Sequence, residues 1–261
     1  MDALPPRNIR LIIEYDGTPY VGWQTQENGP SIQAALEEAL TDLTGEELVL
    51  HVAGRTDAGV HALGQVASFI TRSRVPSTKF APALNSLLPF EISVHRSDEV
   101  PADFDARHSA RGKRYRYRVY LGPQPAALDA TRAWYVKRPL DLEAMRAAAS
   151  HLIGEHDFES FRSAQCDAAH ARRNMVAITI DAAPRPPFGT YVDIVFQANA
   201  FCRHMCRILA GTLVEVGLAR RTVASIDETL AGRSRALAGI TAPAHGLTLL
   251  EVFYPGLTTV P

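Results

Sequence analysis

Arg114-Tyr-Arg-Tyr-Arg-Val-Tyr-Leu121 alternates basic with aromatic or apolar side chains over eight positions. Period-two alternation marks a strand with one buried face. Tyr115, Tyr117, Val119 and Leu121 form the expected inner face, and Arg114, Arg116, Arg118 and Tyr120 the outer one. A strand that is wet on one side suits an antiparallel sheet better than a doubly wound parallel one, whose strands are covered on both faces.

Towards the C-terminus, Asp141–Ile153 places Leu142, Met145, Ala149 and Leu152 at helical spacing and stops at Gly154. Met175–Ala182 and Thr190–Ala198 read as strands joined by a turn at Pro184-Arg-Pro-Pro187. Phe201–Val216 reads as a long helix ending at Gly217, and Gly246–Phe253 as a closing strand. Towards the N-terminus, Asn8–Tyr15 is a β-branched run closing on the turn signal Asp16-Gly17. Ser31 can cap a helix that repeats Ile32, Ala35, Leu36, Ala39, Leu40 and Leu43 before Gly45. Strands are expected at Leu48–Ala53, Gly64–Thr71 and Glu91–Val100, with a short helix around Thr78–Leu88. Strands outnumber helices and often adjoin in sequence. The expected class is α+β: two similar α/β halves, 1–106 and 107–261, with largely antiparallel sheets and helices on one side. The halves share element types but no sequence repeat.

The composition, 46% hydrophobic and 21% charged over 261 residues, is that of a folded chain and excludes disordered and fibrous classes. No uncharged apolar run reaches the ~18–20 residues that span a bilayer, and Met1–Arg7 lacks the basic and apolar regions of a secretory leader. Three cysteines, Cys166, Cys202 and Cys206, fit a reducing compartment, so a cytoplasmic protein is expected. The net charge of −1 conceals an uneven distribution. Residues 1–50 hold 2 basic and 9 acidic groups, whereas residues 106–128 hold six basic groups and no acidic one. Such a local stripe matters more to a polyanion than the global sum.

Ala53-Gly-Arg-Thr-Asp-Ala-Gly-Val-His-Ala62 holds a polar tip, Arg55-Thr56-Asp57, between two glycines. Residues on loops between strands often carry function. An aspartate there can simply cap its own turn; beside a guanidinium it stays ionised and can serve as nucleophile or base. Cys202, His204 and Cys206 suggest zinc, but no CxxC or second ligand pair accompanies them, so no metal is expected. His151 and His156 lack metalloprotease order, and Ser160 and Ser163 lack the glycines of a nucleophile elbow.

The Ala53–Ala62 segment resembles, nearly letter for letter, the signature of the tRNA pseudouridine synthase A family. Tyr15-Asp-Gly-Thr-Pro-Tyr-Val-Gly-Trp-Gln24, Asp103-Phe-Asp-Ala-Arg107, Lys113-Arg-Tyr-Arg-Tyr117, His156-Asp-Phe-Glu-Ser-Phe161, Asn199–Arg207 and Gly246-Leu-Thr-Leu249 resemble its other motifs in order. The resemblance spans about residues 10 to 254. It departs at Cys202-Arg-His-Met-Cys206, where aliphatic residues are more usual, with Met205 and Arg207 still in register.

The resemblance implies an isomerase that converts uridine to pseudouridine at positions 38, 39 and 40 of the tRNA anticodon arm, working as a homodimer without cofactor, its active cleft between the two halves. It makes Asp57 the nucleophile, whether through C1′, a glycal or C6. It makes Arg55 the residue that fills the space of the flipped base and Tyr115 the aromatic partner of the extruded uracil. It also pairs Arg207 with the carboxylate, although helical periodicity alone puts Arg203 and Arg207 on a solvated face. Phosphate contacts are expected from Arg107, Arg111, Lys113, Arg114, Arg116 and Arg203, with Arg118, Arg162, Arg172 and Arg173 as further candidates. His61 is expected to brace the loop or meet phosphate. The competing readings are an RNA-binding or RNA-folding protein without turnover, and an unrelated aspartate hydrolase, which would need a second paired carboxylate or a metal set.

Overall fold

The computed structural model describes residues Pro5–Leu257; Met1–Leu4, on which part of the leader argument rests, lie outside them. By internal contacts the chain divides into two compact units, Met1–Arg111 with Leu249–Pro261, and Gly112–Thr248. Each is a mixed α+β assembly built on an antiparallel sheet.

The first unit contains β1 (Arg7–Tyr15), α1 (Ile32–Thr44), β2 (His51–Val52), β3 (His61–Thr71), α2 (Phe80–Asn85) and β4 (Ile92–Val100). The second contains β5 (Gly112–Leu121), β6 (Trp134–Val136), α3 (Leu142–Ser150), β7 (Gly154–Asp157), β8 (Arg172–Arg185), β9 (Gly189–Ala198), α4 (Met205–Gly217) and α5 (Ser225–Gly232). The last strand, β10 (Leu247–Phe253), lies in the first unit from Leu249 onward.

In the first unit the strand order is β4-β1-β3-β10, with β2 also on β3. β1 is central, which explains why its side chains are buried almost throughout. Its one fully buried charge, Arg10, is held by Asp98 of β4 through two hydrogen bonds of 3.2 and 2.6 Å, as a charge removed from water requires. α1 begins as its sequence dictates: the Ser31 hydroxyl accepts from the Ala34 N–H, and Ile32, Leu36, Ala39 and Leu40 are buried. α2 packs on β4, and Phe80 from this helix meets Phe69 edge-on at 5.4 Å.

In the second unit the order is β5-β9-β8-β7, with β6 parallel to β5. The alternation is realised over 114–119, where Tyr115, Tyr117 and Val119 are buried and Arg114, Arg116 and Arg118 half-buried; Leu121, expected inside, is half-buried at the strand end. Tyr120, expected outside, is also buried, between Tyr135, Tyr191 and the Arg185 guanidinium. Asp141 caps α3 by accepting from Ala144 N–H, and α3 packs against α4 and β8.

Several boundaries differ from those read in sequence. Of Leu48–Ala53, only His51 and Val52 pair as a strand; the Leu50 N–H instead donates to Glu37 of α1. β3 starts three residues earlier, at His61. The expected turn at Pro184–Pro187 begins later, because β8 continues through Pro184 and Arg185. β7 covers only Arg172–Met175 of β8, so a residue without an N–H can stand on the outer edge at Pro184. The helix expected from Phe201 begins at Met205, which removes Phe201, Cys202 and Arg203 from it. β6, β7 and α5, short or weakly apolar, went unread. Among the described residues no helix is long and apolar enough to cross a membrane.

Candidate functional site

The glycine-flanked loop connects β2 to β3, and backbone bonds fix most of its length. Ala53 N–H donates to Val66 O at 2.9 Å, and Val60 N–H closes a turn on Asp57 O at 3.1 Å. The segment after β1 lies against the tip. Trp23 N–H donates to Thr56 O at 3.1 Å, Gly59 N–H to Tyr20 O at 3.4 Å, and Asp57 pairs with Gly22 in an isolated antiparallel bridge. Asp57 is half-buried at this bridge, whereas Arg55, two residues earlier, is exposed. Arg55 makes no ion pair among the described residues, so the guanidinium that sequence proximity set beside Asp57 instead faces solvent.

Below the tip lies a group of buried polar side chains whose link to the loop sequence reasoning missed. Tyr15 OH and Thr56 Oγ1 are 2.8 Å apart, and Gln65 Nε2 donates to Tyr15 OH at 3.2 Å and to Gly54 O at 2.8 Å. The relative exposures of Tyr15, Thr56 and Gln65 are 2%, 8% and 0%. Burial pushes the Tyr15 hydroxyl up to about 12, against smaller downward effects of Thr56 and Gln65. The available signal was Gln65 itself, the largest polar side chain in the run 62–70, which is apolar apart from it and Ser68.

His61 does brace this region. It is buried, and its Nδ1 lies 3.1 Å from Gly17 N and 3.1 Å from Asp16 Oδ1. Nδ1 accepts from Gly17 N–H or donates to Asp16 according to which ring nitrogen carries the proton. Either way the turn after β1 is tied to the first residue of β3.

In the second unit, Tyr115 stands on β5 opposite Phe196 of β9 and is 7% exposed. Its ring meets Phe201 edge-on, with centroids 5.0 Å apart and planes at 82°. Phe201 lies in the segment leading to α4, where His204 adopts left-handed backbone (φ 63°). That conformation costs an L-residue roughly 1–2 kcal/mol and marks where the chain turns into the helix.

Arg207, in the first turn of α4, is half-buried, unlike the solvated residue that helical periodicity suggests. Its Nε donates to Ala242 O at 2.8 Å, while Ala242 N–H returns to Arg207 O at 3.1 Å. The neighbouring Tyr117 hydroxyl donates to Pro243 O at 2.8 Å. Burial pushes the Tyr117 hydroxyl far up, with the Arg207 charge pulling the opposite way.

The expected phosphate-binding residues divide by how they are held. Arg107, Arg111 and Arg203 are exposed, Arg203 donating to Gln165 O at 3.3 Å. Lys113, Arg114 and Arg116 are half-buried on β5, and Arg114 donates to Gln197 at 3.3 Å. Burial and the adjacent Arg118 charge hold the Arg116 guanidinium below its usual range. Arg118 is itself engaged with Asp193 through bonds of 2.7 and 2.6 Å. Arg162 is engaged with Glu159, and Arg173 is buried against backbone carbonyls. These last three are poor candidates for phosphate.

None of the three cysteines is in a disulfide, and among the described residues no group of three His, Cys, Asp or Glu side chains could hold a metal ion.

Comparison with known proteins matches residues 11–109 and 148–255 to a family model described as tRNA pseudouridine synthase. The tRNA pseudouridine synthase A of Myxococcus xanthus is 49% identical over 94% of this chain and 91% of its own length. That of Syntrophotalea carbinolica is 47% identical, covering 94% and 96%. That of Acetivibrio thermocellus is 45% identical, covering 95% and 100%.

Proposed function

The chain belongs to the tRNA pseudouridine synthase family, and on that premise we propose that Asp57 is the nucleophile with which it isomerises uridine at positions 38, 39 and 40 of the anticodon arm. The reaction breaks the N1–C1′ bond, turns the uracil and rejoins it through C5, with no net change in composition. A carboxylate can attack C1′, or remove a ribose proton to give a glycal, as the base departs; addition at C6 of the base is the other route.

The observation that carries this reading is the Ala53–Ala62 loop: a half-buried carboxylate at a tip that backbone bonds hold against Tyr20–Trp23. A preoriented carboxylate needs no reorganisation at the moment of reaction. A stacked uridine must first be flipped out, at a cost of about a few kcal/mol. Arg55, exposed on the same loop, would occupy the space the base leaves. Tyr115 would present its ring to the extruded uracil, and Arg207 would pair with the carboxylate and fix its orientation. Phosphate contacts would come from Arg107, Arg111, Lys113, Arg114, Arg116 and Arg203, with the protein acting as a homodimer in the cytoplasm.

Purified Asp57→Asn protein incubated with unmodified tRNA transcript should form no pseudouridine at these positions while still binding the tRNA. Pseudouridine formation at the wild-type rate would sink the assignment. Loss of tRNA binding along with activity would favour a purely RNA-binding role for the loop.

A further inference from the structure

Tyr15, Thr56 and Gln65 are three polar side chains buried beneath the catalytic loop and joined to one another by hydrogen bonds. The Gln65 amide is oriented unambiguously: its Oε1 accepts from Val66 N–H at 3.2 Å and its Nε2 donates to Gly54 O at 2.8 Å. The second Nε2 proton therefore points to Tyr15 OH, which accepts it at 3.2 Å. The Tyr15 and Thr56 hydroxyls share a hydrogen bond of 2.8 Å, which either oxygen can donate. Thr56, the residue immediately before Asp57, is thereby joined to Tyr15 and through it to Gln65.

The backbone supports this arrangement. In the β1–β3 ladder Ile13 pairs with Gln65 but Tyr15 with Ala62, so β3 carries one extra residue in this stretch. Bulges of this kind re-aim side chains and are common beside active sites. Burying three polar groups that hydrogen-bond one another adds little to stability over an apolar core of the same shape, but it restricts the geometry.

We infer that Tyr15, Thr56 and Gln65 are positioning residues for the isomerisation, fixing Gly54 and Thr56 from below so that the Asp57 carboxylate presents a single orientation. The inference rests on Asp57 being the nucleophile. A loop held in this way matters because displacing a reacting group by about 1 Å can cost a hundredfold in rate.

The test uses the full chain with unmodified tRNA transcript, reading single-turnover rate and tRNA Kd separately. Thr56→Val and Tyr15→Phe should each slow turnover by about tenfold to a hundredfold with Kd changed by less than about twofold, and Thr56→Ser should restore most of the rate. Wild-type turnover in folded Thr56→Val and Tyr15→Phe would overturn the inference. So would a Thr56→Ser variant as slow as Thr56→Val, because a side chain that merely fills space would not be rescued by its hydroxyl. Should Thr56→Val fail to fold, Tyr15→Phe, which removes one oxygen and keeps the ring, decides the matter. An Asp57→Asn variant separates the two claims. If it is active, the nucleophile assignment falls and this inference with it; if it is inactive while Thr56→Val and Tyr15→Phe turn over normally, only this inference falls.

Discussion

Gly22 acts on Asp57 through backbone alone. Its φ is 110°, and a Cβ added there would stand 2.6 Å from Thr56 O and 3.1 Å from Asp57 C. Gly22→Ala therefore meets two penalties, a backbone angle that L-residues rarely adopt and a clash with main chain that no rotamer relieves. Together they should destabilise the protein by about 1–3 kcal/mol, read as a lower urea midpoint. Because the clash falls on the loop tip, single-turnover rate should fall more than tRNA affinity; a variant with normal stability and rate would show that the bridge to Asp57 is dispensable. At this scale the sequence was partly legible. Asp57 could be read as a candidate because a carboxylate between two glycines is visible in a single loop. The Gly22 requirement could not, because its partner lies 35 residues away. Nor could the exposure of Arg55, since proximity in sequence says nothing about which way two side chains on a turn point.

Local patterns foretell elements well where an element is stabilised by its own residues, and poorly where a neighbour decides. α1 and α3 are examples of the first kind, since Ser31 and Asp141 cap them and their apolar faces repeat at helical spacing. α4 is of the second kind. The apolar periodicity that begins at Phe201 continues through it, yet the chain turns at His204 and only then becomes helical. Its face towards Gly239–Ala242 is also set by close approach: a Cβ on Gly211 would fall on the Ile240 carbonyl, and Gly239 N–H donates to Thr212 Oγ1 at 2.9 Å. This reverses the usual sign of a substitution. In an isolated helix, Gly→Ala gains about 1 kcal/mol; here Gly211→Ala should cost about 2 kcal/mol from overpacking against backbone, measured by chemical denaturation. The same segment holds Arg207 through Ala242, so turnover should fall with it. A stabilised Gly211→Ala protein would mean that the 239–242 segment is not held against the helix.

For the whole molecule, formal charge is a poor guide to binding a polyanion, since −1 overall coexists with an acidic first fifty residues and a run of six cations between 106 and 128. What matters is which cations are available. Arg118 is not, because Asp193 meets it with two short bonds and raises its pKa further. Arg107 and Arg111 are exposed. Each phosphate that a cation neutralises releases condensed counterions, so tRNA affinity should fall steeply as salt rises. Arg111→Ala should then lower the slope of log Kd against log salt by about one. Arg118→Ala should leave that slope nearly unchanged, because it removes a charge already balanced within β5 and β9, and should act on stability through the stranded Asp193. Filter binding over a series of salt concentrations measures both variants. A slope lowered by Arg118→Ala and untouched by Arg111→Ala would mean that the Asp193 pair opens on binding and that the exposed arginines are not the ones that meet phosphate.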